Sequence, residues 1–367
     1  MIRTEGLRVG DHVTNGKGGS VMRDGMNAII KAAAAPGVEL ARVEAPTVTP
    51  GHVLVRVLAA AICGTDLHIY DWNEWAQRRI DPPMVIGHEF CGEVIEVGEG
   101  VTKVNPGDLV AGETHVPCGV CYQCRTGLQH VCQDMKILGV DLPGVFSEYA
   151  LIPEPCAWKV KPDMDPVLGA VMEPFGVGAH AVLAEDVAGK TVGVFGCGPI
   201  GLFAVNTARA CGASKVIACE ISSERLQMAA AMGATDLVNP REGNTLESML
   251  DITHGVGLDV GVELSGAPTA LQQLLDAMTR GGRLSIAGLQ PRPTEIDVVD
   301  NIIYKELRIY GITGRLMYDT WYRVSALFDS GAVDPRPAIT GRFKLSEFDS
   351  AFAAAHSGTS GKAVLVP

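Results

Sequence analysis

Four cysteines stand at positions 118, 121, 124 and 132, in the run CGVCYQCRTGLQHVC. Four thiolates so close along the chain can close a tetrahedral shell around one Zn2+ and leave no position open. Gly119 and Gly127 suit a loop that must wrap an ion. A closed shell does structural work, so any chemistry has to lie elsewhere. The chain has ten cysteines and the other six are scattered singly, which favours a metal over a pair of disulfides. A second set differs in character. Cys63 lies in CGTDLH and His88-Glu89 lie in GHEF, so thiolate, imidazole and carboxylate would come from two separate turns. A catalytic zinc takes about three protein ligands and keeps a position for substrate or water. Glu173, in MEPFG, is a further carboxylate that could bind the metal or swing away from it. Singly, Cys63 reads as well as a buried apolar residue, His88 as a loop histidine, and Glu89 and Glu173 as surface carboxylates. Their joint occurrence favours a site.

A third constellation is the turn Gly196-Cys197-Gly198-Pro199-Ile200-Gly201, a G-x-G-x-x-G set. Gly196 permits the tight turn, Gly198 lets backbone amides approach a pyrophosphate, and Gly201 lets helix pack on strand. Pro199 fits a first helical turn, where its missing N–H costs nothing. The turn follows a strand, opens a helix, and is followed by Glu220 at the end of the next strand. A carboxylate there accepts from the ribose hydroxyls and repels a 2′-phosphate, which favours NAD over NADP. Arg225 reads either as a solvated helix charge or as a group that stacks on the adenine or pairs with Glu220.

The elements that must position these groups fall into two rhythms. From Met26 to about Ala150 the chain shows short strands (VLVRVLAAAIC, EFCGEVIEVG, GDLVAG, FSEYALIP) broken by Gly and Pro, which predicts a small, distorted all-β module. From about Glu173 strands alternate with helices of about a dozen residues. TVGVF, KVIACE, DLVNP, LDVGVELSG and RLSIAGL are the strands, and TALQQLLDAMTRGG is read as one helix. That order predicts βαβ units on a parallel sheet. The last fifty residues resemble neither a further unit nor a separate core, and are expected to return to the first module. The expected division is a polar extension at 1–25, a zinc-binding catalytic domain at 26–175, an NAD-binding Rossmann domain at 176–314, and the return at 315–367.

Composition excludes other classes. A chain of 367 residues is long for one core, and two domains are the natural prior. With 47% hydrophobic and 20% charged residues it is a packed protein, not a disordered one. A net charge of −12 with dispersed basic residues argues against nucleic acid. No apolar run reaches the length of a membrane span. The first 25 residues lack the apolar stretch of a signal peptide, and a cytoplasmic, reducing location is expected.

The order CGTDLH, GHEFCGEV, the four-cysteine loop, then GCGPIG ahead of Glu220 resembles that of the zinc-dependent medium-chain alcohol dehydrogenases. CGTDLHIYDWNEWAQ (63–77), PPMVIGHEF, GVDLPGVFSEY, VELSGAP, and GITGR ahead of Trp321-Tyr322 are similar to the branch that oxidises L-threonine. The similarity runs from Met26 to Pro367. It implies a doubly wound Rossmann sheet inserted in a distorted β-rich, GroES-like catalytic domain. It also implies two zinc ions per chain, with Cys63, His88 and Glu89 at the catalytic one and Cys118, Cys121, Cys124 and Cys132 at the structural one. Thr65 and His68 would form a proton relay, and Glu173 would lie close to the catalytic metal. Ile200, Glu220 and Arg225 would contact NAD, and Ala287, Gly288, Leu289, Ile312 and Thr313 would line the nicotinamide half of the cleft. Relatives of this type are commonly homotetramers.

Such a site supports oxidation of a secondary alcohol, with zinc polarising the hydroxyl and NAD taking the hydride. Two positions depart from the threonine-oxidising pattern: Val177, where Asn is usual, and Gly341, where His is common. Both bear on substrate identity. Trp72 and Trp75 read as pocket wall or subunit contact, and His115 as substrate neighbour or structural hydrogen-bonder. The alternatives are a polyol or vicinal-diol dehydrogenase, and a non-catalytic NAD-binding relative that has lost its active metal. The presence of Cys63, Thr65, His68, His88 and Glu89 speaks against the second.

Overall fold

The computed structural model describes residues 25–367, so the polar extension expected at 1–25 lies outside it except for Gly25. Strand His52–Ala61 organises the first unit. It is buried along nearly its whole length and is central to a seven-stranded sheet. The order is Ala157–Lys159, Leu109–Gly112, Glu89–Val97, His52–Ala61, Lys362–Val366 and Ile339–Lys344, with Tyr149–Pro153 also paired to His52–Ala61. The last strand of the chain therefore lies antiparallel beside His52–Ala61, and the C-terminal segment is woven into the sheet that begins the fold. A three-stranded sheet (Glu39–Val43, Met26–Lys31, Met84–Val85) and a two-stranded one (His115–Val116, Lys136–Ile137) complete this unit.

The second unit is a six-stranded sheet in the order Asp236–Val238, Lys215–Cys219, Thr191–Phe195, Leu258–Glu263, Met278–Ile286, Arg308–Gly311. Every neighbouring pair is parallel. Two of its inner strands, Thr191–Phe195 and Lys215–Cys219, are continuous apolar runs after their first residue, as expected where helices cover both sides of a sheet. The chain leaves Thr191–Phe195 at the point where strand order reverses, which is where open α/β sheets bind ligands.

Two features differ from the sequence reading. The stretch read as one helix over 269–282 is a helix only over Pro268–Ala277. Met278 turns to extended backbone and begins the strand Met278–Ile286, because its buried side chain belongs to the core of the parallel sheet. The division expected between residues 175 and 176 falls not between elements but in the interior of the helix Met172–Val182. That helix is buried on almost every side and shares one core with Ala59, Cys91 and Phe203, so it joins the two units. Gly178 lets it approach the helix Pro199–Ala210, since a Cβ there would lie 2.8 Å from Ile200 O and Ala204 N. No described helix is long and apolar enough to cross a membrane.

Candidate metal centres and cofactor turn

Cys118, Cys121, Cys124 and Cys132 bring their four sulfurs within 4.8 Å of one another. Cys121 is the N-cap of the short helix Tyr122–Arg125. The backbone amides of Cys124 and Gln133 point at its sulfur and bring the thiol down to about 6. A thiol so readily ionised suits a metal ligand. The described cysteines form no disulfide.

Cys63, His88 and Glu89 form a second cluster within the same limit. Cys63 follows the strand His52–Ala61, and Glu89 opens the adjacent strand Glu89–Val97, paired residue for residue with Ala61. Sheet register thus delivers these side chains to one point. Asp66, which the sequence reading passed over, organises them. It is fully buried, and its Oδ2 accepts from the Cys63 amide at 2.8 Å. Its Oδ1 lies 3.6 Å from His88 Nδ1, and both atoms are otherwise without a partner among the described residues. A carboxylate behind a ligating histidine fixes the tautomer that presents Nε2 to a metal. With His88 so oriented, its imidazole, one thiol and one carboxylate converge within 4.8 Å, a donor set that fits a divalent cation. Burial pushes the Cys63 thiol up, opposed by the Lys362 ammonium.

Glu173 stands outside that cluster, close enough for its charge to act on Cys63 and Glu89. Its Oε1 accepts from Arg315 Nη1 at 2.7 Å and from Thr114 Oγ1 at 3.2 Å. Arg315 is 1% exposed and also donates to Glu113, whose other oxygen accepts from Trp321 Nε1 at 2.6 Å. Burial alone would raise the Glu113 carboxyl, but Arg315, His115 and Trp321 outweigh it and bring it down to about 2. His115 belongs to this network through Nδ1, 3.0 Å from Glu113 Oε1 and 3.1 Å from Arg315 Nη2.

Thr65 and His68 lie on the helix Gly64–Asp71. Thr65 Oγ1 is 3.9 Å from Cys63 Sγ, and His68 is exposed. Asn73 caps the next helix by accepting from the amides of Trp75 and Ala76. Its Nδ2 is therefore the atom that donates to His68 Nδ1, at 2.9 Å. Trp75 lies beside His68, with ring centroids 6.3 Å apart. Trp72 instead packs on the first unit's core under the Lys31 ammonium, 4.9 Å away. Val177 is half-buried on the same helix face as Glu173, one turn on. Gly341 lies at a register shift of the edge strand, where a Cβ would meet the Phe343 ring at 2.4 Å.

The glycine turn fits a dinucleotide. Gly196 has φ +88°, and a Cβ there would lie 2.6 Å from Ser265 N. A Cβ on Gly201 would lie 1.9 Å from Gly196 O, so helix and turn pack as glycine allows. A Cβ on Gly198 would meet nothing nearer than Arg225 Nη1 at 4.0 Å, leaving a cradle in front of the helix N-terminus that is open to a phosphate. Glu220 grips the turn: Oε2 accepts from Cys197 N at 2.8 Å, and Oε1 from the amides of Ile221 and Ser222. Arg225 does not pair with Glu220 but donates from Nε to Ser360 O at 3.2 Å, because the C-terminal segment passes over this edge. The amides of Ala287 and Gly288 donate to Glu263 O at 3.0 Å. Leu289 is 89% exposed, Ile312 is half-buried and Thr313 exposed. Glu263, also missed from sequence, holds Ser265 and Gly266 with Oε1.

Comparison with known proteins gives a consistent picture. Residues 49–162 match the alcohol dehydrogenase GroES-like domain, and residues 199–330 match the zinc-binding dehydrogenase domain. An L-threonine 3-dehydrogenase of Thermococcus kodakarensis is 48% identical over 94% of this chain and 99% of its own. Among solved structures, the 2R,3R-butanediol dehydrogenase of Bacillus subtilis superposes with a TM-score of 0.84 at 30% identity, over 93% of this chain and 99% of that one. An alcohol dehydrogenase from Thermus sp. ATN1 gives 0.85 at 29% identity, over the same shares.

Proposed function

The chain belongs to the zinc-dependent medium-chain alcohol dehydrogenases, and from that premise we propose that it oxidises the secondary alcohol of L-threonine to 2-amino-3-oxobutyrate with NAD. The observation that carries this reading is the cluster of Cys63, His88 and Glu89 beside Thr65, in a chain 48% identical to a protein named for that reaction. Cys63, His88 and Glu89 would hold a catalytic zinc, and Cys118, Cys121, Cys124 and Cys132 a structural one, two per chain. When bound, zinc supplies Lewis acidity toward the substrate oxygen and the nicotinamide supplies the hydride acceptor.

The chain's own residues do the rest. Asp66 holds His88 and the Cys63 backbone in place. Thr65 Oγ1 would accept the proton lost from the substrate hydroxyl as it releases its own toward His68, and exposed His68 hands a proton to water. With His68 Nδ1 accepting from Asn73 Nδ2, the neutral ring carries its hydrogen on Nε2, so uptake of the relayed proton at Nδ1 displaces the Asn73 donor and Nε2–H gives a proton to water. Glu173 offers Oε2, which makes no hydrogen bond among the described residues, to the metal or to the substrate ammonium. Gly196, Gly198 and Gly201 cradle the pyrophosphate, while Ile200, Glu220 and Arg225 bracket the adenosine half. Glu220 favours NAD over NADP by repelling a 2′-phosphate. Ala287 to Leu289, with Ile312 and Thr313, line the nicotinamide side.

The same reading includes a cytoplasmic homotetramer. Val298, Val299, Ile303 and Tyr304 are exposed apolar groups in the helical turn just ahead of the open edge strand Arg308–Gly311, and the strand itself adds exposed Ile309, a surface suited to a second copy.

The experiment is NAD reduction with L-threonine, sorbitol, 2,3-butanediol and a simple secondary alcohol. The expected result is a kcat/KM for L-threonine at least about a hundredfold above the others. Preference for the diol or polyol would replace threonine as substrate, with Val177 the first position to examine.

A further inference from the structure

Lys362 is a buried charge that the reaction above leaves unused. It opens the last strand and is 3% exposed, a setting lysine tolerates only when paired. An ammonium has three donors, and all three are engaged. Nζ lies 2.5 Å from Glu89 Oε1, 2.5 Å from Glu89 Oε2 and 3.0 Å from Ile62 O. Ile62 immediately precedes Cys63. One ammonium therefore ties together the two segments that carry the ligands.

The strand that delivers it has little freedom. Ile62 N donates to Ala363 O at 2.9 Å, and Gly361 N donates to Thr340 Oγ1 at 3.0 Å. A Cβ on Gly361 would lie 2.0 Å from Ala338 O, so the backbone before Lys362 is pressed against its neighbour. The geometry is that of a fixed cation aimed at both oxygens of one ligand.

We propose that Lys362 is a positioning residue for the catalytic metal site. It holds Glu89 as a preformed, charge-balanced ligand before metal arrives, and shares that carboxylate once a divalent cation binds. The proposal rests on the reading of Cys63, His88 and Glu89 as a metal site. Each carboxylate oxygen has two lone pairs, so donation from Nζ leaves one free for a cation. The sign of the effect follows from the chemistry of the pair. An acceptor behind a ligand raises its basicity, and a cationic donor on a ligand lowers it. Lys362 thus keeps Glu89 in place while weakening its hold on the metal, so the Glu89 bond stays exchangeable. Removing the ammonium strips that buried carboxylate of its one direct ion-pair partner among the described residues, and the metal becomes its main counter-charge.

The test compares the native chain, Lys362→Met and the double variant Lys362→Met/Glu89→Gln, each stripped by chelator and reloaded with zinc. Thermal midpoints are measured in both states, and zinc affinity at the weaker site by chelator competition. In Lys362→Met the metal-free midpoint should fall by about 5 °C or more while the zinc-loaded midpoint stays within about 2 °C of native. Zinc should bind the weaker site about tenfold more tightly. The double variant, which has no charge left to balance, should recover most of the metal-free loss, and it keeps the test open if Lys362→Met does not fold without metal. Equal losses with and without zinc, unchanged or weaker zinc binding, or no recovery in the double variant would overturn the proposal. Failure of the metal reading itself looks different: the native chain would then bind one zinc, at the cysteine loop.

Discussion

The cysteine loop gathers its four sulfurs from one short run of sequence, whereas Cys63, His88 and Glu89 meet only after two strands have paired. The loop needs little beyond its own turns and the amides at Cys121. The other cluster is surrounded by buried charge brought from elsewhere: Asp66 behind His88, Lys362 on Glu89, and Arg315 on Glu173. A closed set of four thiolates can be satisfied locally because it has one task, to hold an ion. On the proposed reading, the site that keeps a position open must hold fewer ligands in place by other means, and those means would be the long-range ion pairs buried in the sheet and at the junction of the two units.

The contrast can be broken most forcefully by removing one ligand from each cluster. Cys63→Ser should lower kcat/KM for L-threonine by at least about a thousandfold while leaving the thermal midpoint within a few degrees of native. Cys124→Ser should do the reverse, lowering the midpoint by about 10 °C or more, with residual activity tracking the fraction folded. Both variants should lose one zinc by elemental analysis. If Cys63→Ser instead unfolds the chain, the division of labour is wrong.

Next in size is the charge network at the junction. Arg315→Met strands Glu113 and Glu173 as buried carboxylates, and breaking a buried pair in this way costs about 3–5 kcal/mol. Urea unfolding should report that loss, and kcat should fall with it because Glu173 loses its anchor. A variant with native stability would show that the network is not what fixes Glu173.

The same network predicts a pH dependence. Glu113 sits at about 2, below its ordinary 4.5, so its ionised form favours the folded chain. That contribution is complete above about pH 5 and is lost as pH falls toward 2, and it corresponds to about 3 kcal/mol. Glu113→Gln should be less stable at pH 7 and should lose less stability than native between pH 5 and pH 3. Parallel urea midpoints over that range would contradict the assignment.

The smallest effect is expected at the cofactor edge, where Arg225 is held by a single backbone carbonyl. Arg225→Ala should raise KM for NAD by about five- to tenfold with kcat nearly unchanged. An equal fall in kcat would mean that Arg225 acts on the reacting centre through the C-terminal segment.

How much of this was legible in sequence follows from the same contrast. The cysteine loop and the glycine turn are readable because their chemistry depends on near neighbours. The alternation of strand and helix announced the parallel sheet for the same reason. Asp66 was within reach, since it sits at the third helical position after Cys63 and caps that helix, but an acid in a first turn is too common to stand out. Lys362, Arg315 and Glu113 gave no local signal. Lys362 is 273 residues from Glu89, and Arg315 is 142 from Glu173 and 202 from Glu113, so only the folded sheet makes them partners. Met278 misled for a related reason: a helix-forming run was ended by the demand of the sheet core for a buried side chain.

The most direct test of the account is anomalous diffraction at the zinc edge from crystals of the native chain. Two peaks per chain are expected, one enclosed by Cys118, Cys121, Cys124 and Cys132, the other among Cys63, His88 and Glu89. A single peak at the cysteine loop, with none beside Cys63, would contradict it.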